Sequence, residues 1–153
     1  MKIEKGNNVK EHKTTINMPI IFSAQKYFET VETTESELTK TKFEIGAYTE
    51  SKSVSIFGSV GRKKMRSIVK AMENIQTVEA ADIKSWCVSC MCVEKKDFEM
   101  KIRRVLDEQD IKNIPSQEYC IELRDKYDDF LCVDMTKEDF NDVLNTFKKA
   151  LTD

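Results

Sequence analysis

The sequence predicts an α+β domain with a mainly antiparallel sheet. Short runs of alternating apolar residues mark strands, stretches with apolar residues three and four apart mark helices, and short polar turns join them. The chain has 153 residues, 40% of them hydrophobic and 34% charged, which suits one globular core. The expected organisation is a mobile polar arm over residues 1–16 and a single domain over 17–153.

Met18-Pro19-Ile20-Ile21-Phe22 opens an apolar run that continues through Tyr27, Phe28 and Val31 and reads as a strand. The polar stretch 33–39 reads as a connection. Phe43, Ile45 and Ala47 alternate with polar neighbours, as do Val54 and Ile56 after Glu50-Ser51-Lys52, which predicts a β-hairpin. Met65, Ile68, Val69 and Met72 then fall on one face of a helix beginning near Arg62. Val78-Glu79-Ala80 reads as a weak strand and Trp86 to Val93 as a strong one. Asp97 has the chemistry of a helix cap, and Phe98, Ile102, Val105 and Leu106 suggest a second helix. After a loop at 113–116, Tyr119, Ile121 and Leu123 alternate, Asp125 to Asp129 turn, and Phe130 to Val133 return. Thr136-Lys137-Glu138-Asp139 resembles a capping box opening a third helix on Phe140, Val143, Leu144, Phe147 and Leu151.

From 53 to 124 the order is strand, helix, strand, strand, helix, strand. It resembles the βαββαβ core of ferredoxin-like folds, here with an added N-terminal strand or hairpin and a C-terminal strand and helix. ACT-type sensing domains share that order. Their Asp and Pro-Gly are absent from the first strand-to-helix connection, so their ligand site is not carried over. Residues 43–75 and 119–151 also echo one another as strand, turn, strand, helix, without matching residue for residue.

The formal net charge of −2 gives no global attraction to polyanions. No run approaches the roughly 20 apolar residues of a membrane-spanning helix. With no secretory signal and an odd count of five cysteines, the expected location is cytoplasmic, with reduced thiols.

The candidate anion or nucleic-acid site is Gly58, Ser59 and Gly61 running into Arg62, Lys63, Lys64 and Arg66. Glycines admit close approach of backbone N–H groups, and a helix start favours anions. No acid interrupts residues 61–70, and the Gly-x-x-Gly spacing resembles the KH-type loop, though the P-loop ending is missing. Other groupings carry less. Cys87-Val88-Ser89-Cys90 with Cys92 has knuckle-like spacing, but a strand sends Cys87 and Cys90 to opposite faces, and Cys120 and Cys132 stand twelve positions apart. These thiols read as small apolar residues. Asp125, Asp128, Asp129 and Asp134 lack EF-hand spacing and read as a solvated turn. The single histidine, His12, lies in the polar arm, which argues against nucleophilic catalysis. Trp86, Tyr27, Phe28 and Phe43 are candidates for an aromatic sheet surface.

No catalytic constellation, metal site or cofactor motif emerges, so the reading is of a non-enzyme. The expected function is a binding or regulatory protein, of accessory or inhibitor type, working through protein–protein contact and as a homodimer. The alternatives are a nucleic-acid-binding module using the basic helix start at 58–70, and a small-anion or phosphate sensor at the 58–61 loop.

Overall fold

The structure is a computed structural model and describes residues 2–6, 13–16, 19–32, 37–78, 87–105 and 118–152. In chain order the elements are β1 (Lys2–Gly6), β2 (Lys13–Ile16), β3 (Ile20–Glu32), β4 (Glu37–Thr49), β5 (Ser55–Gly61), α1 (Arg62–Thr77), β6 (Cys87–Glu94), β7 (Phe98–Val105), β8 (Tyr119–Asp125), β9 (Phe130–Met135) and α2 (Lys137–Thr152). The class is α+β, as predicted. There are two antiparallel sheets, in direct contact where β5 meets β7 and β8. One runs β3-β4-β5. The other is the meander β6-β7-β8-β9, which β1 and β2 extend beyond β9. Residues 2–6 and 13–16, within the segment expected as a polar arm, are those two added strands. Among the described residues no helix is long and apolar enough to cross a membrane.

The sequence periodicities explain most of this. On β4 and β5, Phe43, Ile45, Ala47, Ile56 and Val60 are buried every second residue. On α1, Met65, Ile68, Val69, Met72 and Ile75 are buried, and on α2 Phe140, Val143, Leu144, Phe147 and Ala150. Each large apolar side chain so placed contributes about 1.5–3 kcal/mol. Thr136 Oγ1 accepts the N–H of Asp139 at 3.2 Å, so the predicted cap starts α2.

Two expectations are corrected. The helix expected from Asp97 is strand β7: Phe98, Met100, Ile102 and Arg104 are buried and Val105 is exposed, a period of two. The ferredoxin-like order also fails. Without a helix there, β6 to β9 zigzag within one sheet, while β5 belongs to the other. Among the described residues the helices are therefore α1 and α2, not three. In β6 the strict alternation expected from Val88 to Cys92 is interrupted by a register shift between Met91 and Val93. Trp86, the weak strand's residues 79 and 80, the 113–116 loop and His12 lie outside the described residues.

The faint echo between the halves is architectural. β4-β5-α1 and β8-β9-α2 are both hairpin then helix, and the buried stripe of α1 maps onto that of α2 position by position. The left-handed residues Lys52 (φ 58°) and Asp128 (φ 59°) occupy equivalent places in the two turns. Each helix crosses to the other half: α1 packs on β6, α2 packs on β3, and the helices touch each other.

Arg104 joins the layers. Its guanidinium enters the core from β7 and donates Nη1 hydrogen bonds to the carbonyls of Ile75 (3.1 Å), Gln76 (3.4 Å) and Val78 (2.5 Å), which close α1. Its Nε donates to Glu118 Oε2 at 3.2 Å. A cation at the negative end of a helix dipole, bonded to otherwise orphaned carbonyls, is favourable on both counts. The same guanidinium lies 5.4 Å from the centroid of the Tyr119 ring.

Candidate functional site

The expected 58–61 loop is the second half of strand β5. Gly58, Ser59 and Gly61 are paired with Ile45, Glu44 and Lys42 on β4, and the chain enters α1 directly. Gly61 caps α1 with ordinary extended angles (φ −79°, ψ 172°), and no glycine among the described residues has positive φ. Backbone N–H groups in an extended strand alternate in direction and do not converge on an anion. Gly58 has a packing reason instead: a Cβ there would overlap the buried ring of Phe98. Gly61 has no such constraint, since a Cβ would meet nothing within 4 Å.

The basic residues after Gly61 form the first turn of α1, which contains no acid. Lys63, Lys64 and Arg66 are exposed, while Arg62 is half-buried with its guanidinium 5.7 Å from the Phe43 ring centroid. Because Gly61 pairs with Lys42, this turn leaves the sheet beside Lys42.

The sheet itself supplies what sequence reading located only in part. The helices occupy one side of β3-β4-β5, against Phe43, Ile45, Ala47, Ile56 and Val60. Among the described residues its other side carries no helix. There the register places Ser23, Gly46 and Phe57 in one row, Ile21, Tyr48 and Ser55 in the next, and Tyr27 beside Lys42. Tyr48 and Phe57 are half-exposed and stacked, with ring centroids 6.2 Å apart and planes at 29°. Gly46 makes room: a Cβ there would come within 2.8 Å of Phe57 Cδ1. Without one, the Phe57 ring packs close over Gly46 while staying half-exposed. Tyr27 reaches over the same surface, its hydroxyl 2.5 Å from Ser59 Oγ.

Cations rim this surface. Lys40 and Lys42 project from β4, Lys52 sits in the β4–β5 turn, and Lys95 donates to the Ser59 carbonyl at 2.7 Å. Glu29, Glu44 and, beside Lys52, Glu50 are acids among them. Of the aromatic candidates named from sequence, Tyr27 is on this open face, Phe43 is fully buried, and Phe28 is 66% exposed on the β3–β4 hairpin beyond the body. Tyr48 and Phe57 were missed. Their signal was parity: each stands next to a buried position in its own strand and must face the other way.

The remaining groupings separate clearly. Asp125 Oδ1 accepts the N–H groups of Tyr127 (2.9 Å) and Asp129 (3.1 Å), so it holds its own turn. Cys92 is a buried core residue whose thiol burial pushes up to about 12. Cys120 and Cys132, treated from sequence as distant small residues, are brought together. Their Sγ atoms lie 3.0 Å apart, beside Glu122 and Arg103.

No family of known proteins, no curated protein and no solved structure matches this chain.

Proposed function

We propose that this protein binds single-stranded nucleic acid on the open face of β3-β4-β5, with bases stacking on Tyr48, Phe57 and Tyr27. Backbone phosphates would meet Lys40 and Lys42 and, round the end of the sheet where Gly61 pairs with Lys42, Lys63. The observation that carries this reading is the Tyr48–Phe57 pair lying half-exposed on a sheet face that no helix among the described residues covers. Every base has a π-face, so such a platform takes unpaired strands with little regard to sequence. A flat sheet face has no element to enter a duplex groove, which favours single strands over double. The chain's own charge of −2 means that attraction must come from this local rim.

Fluorescence anisotropy with labelled oligothymidine and oligouridine at low salt tests the proposal. Phe57→Ala is expected to weaken binding roughly 5- to 150-fold, the equivalent of about 1–3 kcal/mol per stacked base. Lys42→Glu with Lys63→Glu should reduce affinity and flatten its dependence on salt. Absence of binding at low salt, or binding indifferent to all three changes, refutes it.

A second reading, a homodimer or other protein contact, draws on a different feature. The β3–β4 hairpin extends past the end of β5, and there Phe28 and Leu38 are 66% and 51% exposed. Unpaired strand edges flanked by apolar side chains favour association. Light scattering on the native chain and on Phe28→Asp with Leu38→Asp separates the two. A dimer that becomes monomeric while oligonucleotide binding persists assigns the hairpin to assembly and the sheet face to ligand.

A further inference from the structure

We propose that Cys120 and Cys132 form a reversible dithiol–disulfide site, oxidised by a small hydroperoxide, on the side of β7-β8-β9 that faces away from the helices. The core side of these strands is filled by Ile102, Ile121, Leu123, Leu131 and Val133. The two cysteines have the opposite parity, so they are not core filling. Register sets the pair: Glu122 is opposite Cys132 and Cys120 is opposite Asp134, which leaves the two thiols diagonal across adjacent strands. Arg103, opposite Cys120 on β7, completes the cluster. Its Nη2 lies 2.6 Å from Glu122 Oε1, 3.6 Å from Cys120 Sγ and 3.8 Å from Cys132 Sγ.

A guanidinium within reach of two touching thiols favours a thiolate, the reactive form. Either thiol can donate to the other. With Cys120 as the donor, that hydrogen bond and Arg103 hold Cys132 below its usual value against burial and the carboxylates of Asp134 and Glu122, and Cys120 is pushed up. Cys132 is thus the attacking sulfur and Cys120 the resolving one. Both residues are almost covered, at 4% and 3% exposure, beneath an Arg103–Glu122 pair whose side chains are 33% and 21% exposed. Only a small oxidant fits such access. The same cation argues against a resident metal at Cys120, Glu122 and Cys132, because the guanidinium already occupies the charge-balancing position.

The Cys132 thiolate attacks one oxygen of hydrogen peroxide, the O–O bond breaks, and the departing hydroxide takes up a proton to become water. The sulfenic acid left on Cys132 is then attacked by the Cys120 sulfur, which gives up its proton. The S–O bond breaks and a second water leaves. Two thiols are oxidised to one disulfide, and one peroxide is reduced to two waters. Diagonal positions across a sheet are wider apart than an unstrained disulfide prefers, so the bridge is expected to be readily reduced.

The test is peptide mapping by mass spectrometry of the full chain, treated with hydrogen peroxide, blocked with a maleimide, then digested. The expected product links the Cys120 and Cys132 peptides, is two hydrogens lighter than the dithiol, and reverts with dithiothreitol. Cys92 should still take up the maleimide once the chain is denatured. Cys120→Ser should trap a sulfenic acid on Cys132 that dimedone captures. Arg103→Met should slow bridge formation about tenfold for each unit by which the thiolate becomes harder to form, and Arg103→Lys should restore part of the rate. Cys120 and Cys132 remaining reduced while other cysteines oxidise overturns the proposal. So does retention by the reduced protein of one zinc ion that blocks both thiols.

Discussion

Arg104→Met removes the guanidinium that closes α1 while keeping much of the side chain's length. In the native chain that group serves three main-chain carbonyls, at Ile75, Gln76 and Val78, and pairs with Glu118 at 3.2 Å. Both side chains are largely buried, at 10% and 14% exposure. Methionine would leave the carbonyls without their donor and the Glu118 carboxylate without its counter-charge. Removing one partner of a buried, hydrogen-bonded pair costs about 3–5 kcal/mol. With a urea m-value near 2 kcal/mol per molar, the unfolding midpoint should fall by roughly 2 M. Equilibrium urea denaturation followed by circular dichroism measures it, and hydrogen exchange should localise the loosening to the last turn of α1. Arg104→Lys should fall between wild type and Met, since an ammonium keeps the charge but not the planar fork. A loss below about 1 kcal/mol, the range of an exposed ion pair, would falsify the claim that Arg104 ties the helix to the sheet.

Further outcomes follow from buried groups. The Tyr119 hydroxyl is buried and finds no hydrogen-bond partner among the described residues, so Tyr119→Phe should leave stability unchanged or raise it by up to about 1 kcal/mol in the same assay. Gly58→Ala should cost about 1–3 kcal/mol through overlap with Phe98, and Phe98→Leu in the same chain should recover part of it. Burial holds the Cys92 thiol near 12, against an ordinary 9.0, so its neutral form is favoured by the fold. That contribution is complete below about pH 9 and is lost as pH climbs towards 12, with a slope of at most about 1.4 kcal/mol per pH unit. Cys92→Val should flatten stability against pH in that window, and an unchanged slope would count against the assignment.

The elements that sequence analysis located are those whose own periodicity is complete. The β4–β5 hairpin and both helices carry uninterrupted stripes, and Thr136 sits where a cap belongs. β7 was hidden by Arg104. A charged residue reads as solvent-facing, so the fourth inward position vanished from the alternation, and Phe98, Ile102 and Val105 with Asp97 before them imitated a capped helix. That one substitution of a buried cation for an apolar residue turned a meander into an apparent βαββαβ order. The open sheet face was half legible: Tyr27 was named, whereas Tyr48 and Phe57 required knowing which side the helices take. The Cys120–Cys132 contact was concealed differently. Cysteine spacing along the chain says nothing until the turn between β8 and β9 fixes register, and Arg103 arrives from a third strand read as helix.

The crossing of the two helices has a consequence for how the molecule can come apart. Each hairpin lends its helix to its neighbour and is roofed in return, so neither half owns a complete interior. Severed into two peptides, the chain would therefore be a pair of complementary fragments, each an unfinished surface that only the other one fits.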